Sequence, residues 1–229
     1  AARLSDVAPD DKATRVTYGL LNLTQRESRE RPEPLSPGRR YTVRVALNGC
    51  AQHFPAGHRL RLSISTSYWP LAWLPPEPVR LSIETGNSRL TLPVREPGRD
   101  EPRLSPFGPP EGAPPIDIGH IDAPHHNWWV KRDLAEDVST LEVINDSGSF
   151  RIEEIDLDVK RRTLEWYTTR ADDFGSARGE TRSTVGFSRG DWRVETETHT
   201  IMTCDRDYFY VHARLDAYED GKRICARNW

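Results

Sequence analysis

Apolar and polar residues alternate in short runs along much of this chain of 229 residues, and the runs are bounded by Gly, Pro, Asn and Asp. Successive side chains of an extended backbone point to opposite faces, so period-two alternation predicts half-buried strands; helical periodicity is scarce. Tyr41, Val43, Val45 and Leu47 alternate with Thr42, Arg44 and Ala46. Leu60, Leu62 and Ile64 alternate with Arg59, Arg61 and Ser63, which predicts a strand with its leucines in and its arginines out. Val79, Leu81 and Ile83 repeat the pattern, as do Leu90, Leu92 and Val94, with Thr85-Gly86-Asn87-Ser88 as a hairpin turn between them.

From Glu96 to Asn127 prolines are dense, and proline removes a backbone donor and fixes φ. That stretch reads as a linker or surface strap rather than sheet interior. Longer alternating runs follow: Leu141 and Val143; Ile155, Leu157 and Val159; Trp192 and Val194 with Thr196, Thr198 and Thr200; and Phe209, Val211, Ala213 and Leu215. The turns between them are Asp146-Ser147-Gly148, Ser188-Arg189-Gly190-Asp191 and Glu219-Asp220-Gly221-Lys222. An antiparallel β-meander follows from this order. The expected division is a sandwich part over 1–95, a Pro-rich strap over 96–127 and a meander over 128–229.

Composition narrows the function. Lys plus Arg number 32 against 35 Asp plus Glu, a net charge of -3, which offers no field for polyanions; nucleic acid is not an expected partner. Cys50, Cys204 and Cys225 are too widely spaced for a zinc ribbon or a CxxC pair, and are expected as reduced, strand-borne small hydrophobes. No run of about 18 apolar residues exists and no signal-peptide pattern opens the chain, so neither a membrane nor secretion is expected and the location reads as cytoplasmic. Met202 is the only methionine, and the chain opens on strand-like Ala1-Ala2-Arg3-Leu4-Ser5-Asp6-Val7, which suggests a fragment of a longer polypeptide.

Gly186-Phe187-Ser188-Arg189-Gly190 matches the G-x-S-x-G pattern of a nucleophile elbow. An elbow needs a strand turning into a helix, whereas Asp191-Trp192-Arg193-Val194-Glu195-Thr196 alternates like a strand. The motif therefore reads as a hairpin turn, and neither Asp191 nor His199 completes a triad with Ser188. His53 and His58 flank a Pro-Ala-Gly turn that they would buttress, and His120, His125 and His126 lie in the strap, where they would bond irregular backbone. Neither group has the spacing of metal ligands, so no metal and no cofactor is expected. Asp10-Asp11, Glu153-Glu154 and Asp172-Asp173 read as solvated turn carboxylates. Tyr68, Trp69 and Trp73, in a proline-broken stretch that follows the Arg59–Thr66 run, are different: large aromatics there need cover, from this chain or from another domain.

Several of these segments resemble a known family. Ala2 to Asp10 and Val16 to Leu23, then Pro34-Leu35-Ser36-Pro37-Gly38-Arg39-Arg40-Tyr41, then Phe54-Pro55-Ala56-Gly57-His58-Arg59-Leu60-Arg61-Leu62, resemble in order the C-terminal domain of X-Pro dipeptidyl peptidase and cocaine esterase-like (CocE/NonD) hydrolases. The resemblance covers roughly residues 1 to 95; Thr163 to Tyr167 and Ser188 to Trp192 also look like an extension found in longer members. It implies an all-β chain: a galactose-binding-like jelly-roll sandwich, truncated at its N-terminus, followed by the meander. It places serine, aspartate and histidine in a separate α/β-hydrolase domain, so no catalytic residue carries over.

The expected role is a non-catalytic accessory region of an ester or X-Pro hydrolase, with Tyr68, Trp69 and Trp73 at the substrate pocket or the contact with the α/β-hydrolase domain of the same polypeptide. Two rivals stand beside it: a carbohydrate-binding module using those aromatics as a stacking platform, and a self-contained esterase built on Ser188. A sandwich shorn of its first strands leaves an edge unpaired, from which a homodimer is expected.

Overall fold

The computed structural model describes residues 1–95 and 105–229. The chain is all-β with antiparallel pairing, and it divides into two compact units, Ala1–Arg80 and Leu81–Trp229. The first nine residues of the strap, 96–104, lie outside the described residues.

The first unit is built on a sheet of three strands, β1 (Ala2–Val7), β2 (Ala13–Gly19) and β3 (Arg59–Ile64), ordered β2-β1-β3. Register places Leu4 opposite both Thr17 and Leu62, and Ala2 opposite Gly19 and Ile64, so these residues share one face. On the central strand that face is closed: Leu4 is 2 % exposed. On β3 the leucines do share the face of Leu4, but they are not covered: Leu60, Leu62 and Ile64 remain about half exposed. This departs from the expectation of buried leucines, and its cause is position, since β3 is an edge strand with a neighbour on one side only.

The predicted strand over 41–47 does not form. Both sides of β1 are already paired, and the segment instead reaches β2 through isolated bonds: Asn48 N donates to Tyr18 O at 2.9 Å, and Thr17 Oγ1 donates to Asn48 O at 2.8 Å. Tyr41 is held by side chains, with its ring 4.6 Å from the guanidinium of Arg26 and 5.2 Å from that of Arg39, while its hydroxyl accepts from Ser36 N. Near the start of the second unit, a 3-10 turn stands at Thr85–Asn87 where the hairpin turn was expected, yet the flanking runs 79–83 and 90–94 form no ladder.

The second unit is an antiparallel sheet of β4 (Ile118–Asp122), β5 (His125–Asp133), β6 (Val138–Ile152), β7 (Leu157–Arg170), β8 (Asp173–Arg189), β9 (Trp192–Cys204), β10 (Phe209–Glu219) and β11 (Lys222–Asn228). From β6 to β11 each strand pairs with its neighbour in sequence, which is the expected meander. Asp220 and Gly221 join β10 to β11 with φ of 48° and 75°, the paired positive values that a two-residue hairpin matched to strand twist requires.

Asp146-Ser147-Gly148, expected as a turn, lies inside the continuous strand β6 as a bulge. Gly148 has φ +66°, and a Cβ there would sit 2.2 Å from the carbonyl oxygen of Asp122, so the backbones meet where only glycine fits. The bulge splits the free side of β6 between two partners: residues before it pair with β5, and residues after it pair with β4. β4 and the first three residues of β5 come from the end of the segment read as a strap. Pro115 and Pro124 stand just outside these edge strands, where a missing donor costs no ladder bond.

Candidate functional site

The far face of the first sheet is polar and concave. Two cross-strand rows build it: Arg15, Ser5 and Arg61 from β2, β1 and β3, and beside them Tyr18, Arg3 and Ser63. Arg15 and Tyr18 are three apart and would face opposite ways in a regular strand. A register shift between Leu4 and Ser5 puts both on this face. Tyr68 closes the end of the surface: its hydroxyl accepts a hydrogen bond from Arg15 Nη1 at 2.6 Å, and its ring centre lies 5.1 Å from the guanidinium carbon of Arg3. Tyr18 meets Tyr68 edge to face at 5.4 Å. Together Arg3, Ser5, Ala13, Arg15, Arg61, Ser63 and Tyr68 line a concavity of about 480 Å³.

Its electrostatics are one-sided. Three arginines and no carboxylate line it, and among the described residues none of the three pairs with an acid. The bond to Tyr68 is the leading cause that raises the Arg15 pKa above its ordinary value. Arg3 Nε is buried and has no hydrogen-bond partner among the described residues.

Of the three aromatics singled out from sequence, Tyr68 lines this concavity, while Trp69 and Trp73 pack on each other edge to face at 5.0 Å. All three are partly exposed and follow β3 in irregular chain. A sugar platform presents an open aromatic face; edge-to-face contact instead makes Trp69 and Trp73 a small apolar knob. Sequence reading missed Arg3, Arg15 and Arg61, because the bulge that aligns them is not written in the local pattern.

Ser188 lies in β8 opposite Asp158 and Arg193, and Gly190, with φ +54°, begins the two-residue turn into β9. The setting is strand, turn, strand, with no helix after the serine. His199 pairs with Glu180, its Nε2 2.7 Å from Oε1, rather than with Ser188. Burial alone would raise the Glu180 pKa; hydrogen bonds from His199, Arg178 and Arg182 outweigh it and hold the carboxyl below its ordinary range. Trp166 Nε1 donates to Glu142 at 3.1 Å on the same face of the sheet, and Lys131 also bonds that carboxylate.

Among the other histidines, His58 buttresses its turn, with Nδ1 2.8 Å from Asp6 Oδ1 and its backbone N donating to Pro55 O. His120 lies in β4 and His125 and His126 in β5, in ladders rather than irregular backbone, because the chain after Pro115 extends along β6. Among the described residues no three His, Cys, Asp or Glu side chains group as metal ligands. Cys204 and Cys225 are strand-borne as expected, but Cys50 is exposed in irregular chain, since the strand expected before it does not form. Among the described residues no helix is long and apolar enough to cross a membrane.

No curated protein and no solved structure matches the chain. A family model does match, over the stretch that contains the first sheet, the concavity and the aromatic loop. Residues 1–103 match the X-Pro dipeptidyl-peptidase C-terminal non-catalytic domain, which supports a C-terminal region of an X-Pro dipeptidyl peptidase-like protein for this part of the chain.

Proposed function

We propose that the chain is the non-catalytic accessory β-region of a CocE/NonD-type serine hydrolase, docked on an α/β-hydrolase domain of the same polypeptide. Tyr68, Trp69 and Trp73 then form the contact with that domain and a wall of its substrate pocket. The observation that carries this reading is the match of residues 1–103 to a non-catalytic domain of a peptidase. The partly exposed aromatic knob beside the arginine-lined concavity supports it, because concave polar surface next to apolar anchors is the makeup of a pocket rim. The parent reaction is acyl transfer through serine to water, on an ester or an X-Pro amide.

In this reading residues 1–95 are a jelly-roll part of galactose-binding-like type, 96–127 a strap and 128–229 an extension of the sheet. The three free cysteines, two of them exposed, suit a reducing compartment such as the cytoplasm. The half-exposed β3 edge supports self-association of the chain when it stands alone.

The test is alanine at Trp69 or Trp73 in the full-length enzyme. The expected result is a changed ratio of kcat/KM between an ester and an X-Pro anilide, with the thermal midpoint of the 229-residue chain nearly unaltered. Unchanged kinetics together with a large drop in that midpoint would assign the aromatics to the local core and overturn the docking reading.

A further inference from the structure

We propose that the polar face of the first sheet is a binding site for a small oxyanion, a carboxylate or a phosphate, held by Arg3, Arg15 and Arg61 with Ser5, Ser63 and Tyr68. Like charges on one sheet face repel, and Arg3 is the diagonal cross-strand neighbour of both Arg15 and Arg61, with no carboxylate among the lining residues to offset them. Neighbouring strands lie about 4.8 Å apart, so Arg15 and Arg61 begin about 10 Å apart across Ser5, a span from which two guanidinium forks converge on one anion. The rings of Tyr18 and Tyr68 take part of the charge, but an aromatic face does not satisfy an N-H donor. The buried Nε of Arg3 is the donor left over. Buried polar groups without a partner are uncommon in folded proteins, and an oxyanion in the concavity supplies the negative charge that the three arginines around it lack.

Planar guanidinium groups match carboxylate and phosphate oxygens in pairs, whereas a neutral or cationic ligand leaves all three arginines uncompensated. The hydroxyls of Ser5 and Ser63, in register with Arg61 and Arg3, add donors at the floor. The same chemistry comes from a free anion or from an Asp or Glu side chain of another polypeptide segment. This inference does not depend on the aromatic loop touching a hydrolase domain.

The experiment titrates the isotopically labelled chain with inorganic phosphate, with succinate and with a short acidic peptide amide, following the arginine Nε-Hε signals in NMR spectra. Saturable shifts of Arg3, Arg15 and Arg61 are expected, with affinity at least tenfold weaker in Arg61→Gln and binding lost in Ser63→Asp, which places a fixed carboxylate in the concavity. Tighter binding of phosphate or succinate than of the peptide identifies a free anion, and the reverse identifies an acidic side chain. Thermal melts accompany each variant; if Arg61→Gln does not fold, Arg15→Gln is read in its place. Non-saturating shifts, or variants that bind as the parent sequence does, overturn the proposal.

Discussion

Nδ1 of His58 lies 2.8 Å from Oδ1 of Asp6, joining the turn that precedes β3 to β1 across 52 residues of sequence. Asp6 is 9 % exposed on the face it shares with Leu4 and Leu60, so its carboxylate has little water to turn to. Removing one partner of a buried charge-assisted bond costs about 1.5–3 kcal/mol, more than removing both together. His58→Ala is therefore expected to lower stability by that amount in denaturant melts, and the double variant with Asp6→Asn to recover part of it. Strict additivity of the two losses would contradict the pairing.

Gly148→Ala is expected to cost more than the roughly 1 kcal/mol of an ordinary Gly→Ala change at positive φ, because the added Cβ also meets the Asp122 carbonyl. Gly190→Ala, with positive φ but open space around it, is the control. Hydrogen exchange separates the two: β4 amides should lose protection in the first variant and keep it in the second.

Glu180 brings a pH dependence. Its folded pKa is depressed below the unfolded value of about 4.3, so the stability it contributes is present above that pH and is lost as pH falls through the folded value. Glu180→Gln should lower stability at pH 7 by about 1–3 kcal/mol and flatten the acid limb of the stability curve. An acid limb identical to that of the unaltered chain would show that Glu180 is not linked to folding.

Ser188→Ala tests the elbow reading directly. With β9 rather than a helix after the turn, and His199 engaged by Glu180, the serine lacks the elbow setting and an imidazole base, and its hydroxyl bonds the Asp158 carboxylate instead. Turnover of p-nitrophenyl acetate by the chain is expected at the buffer rate, the same with and without the hydroxyl. A rate above buffer that vanishes in a folded Ser188→Ala would make the chain an esterase.

The period of two found β6, β7, β9 and β10, whose order along the chain is also their order in the sheet, but gave no run for β4, β5, β8 or β11. It misled at 41–47, 79–83 and 90–94, where alternation states which residues share a face but not whether a ladder partner exists. Asp146-Ser147-Gly148 was legible as a site of positive φ, yet glycine serves a turn and a bulge alike, and only the backbone of Asp122 decides between them. Tyr68 was visible as an aromatic out of place. Arg3, Arg15 and Arg61 were not visible as a group, since they meet only through the register of three strands and the shift after Leu4.

Local pairing in the second unit has a kinetic consequence. Each hairpin from β6 to β11 closes a short loop, as does β1 with β2, so these strands are able to zip from their turns outward, whereas β3 has only a distant partner in β1, with Val7 opposite Arg59. Closing long loops costs entropy before any contact returns it, and folding slows as contacts become less local. Pulse-labelled exchange during refolding should therefore protect the amides of β7 to β9 before those of β3. The later segments of this sequence are then the first to become structured on refolding, and the three-stranded sheet with its arginine-lined face is completed on a slower clock.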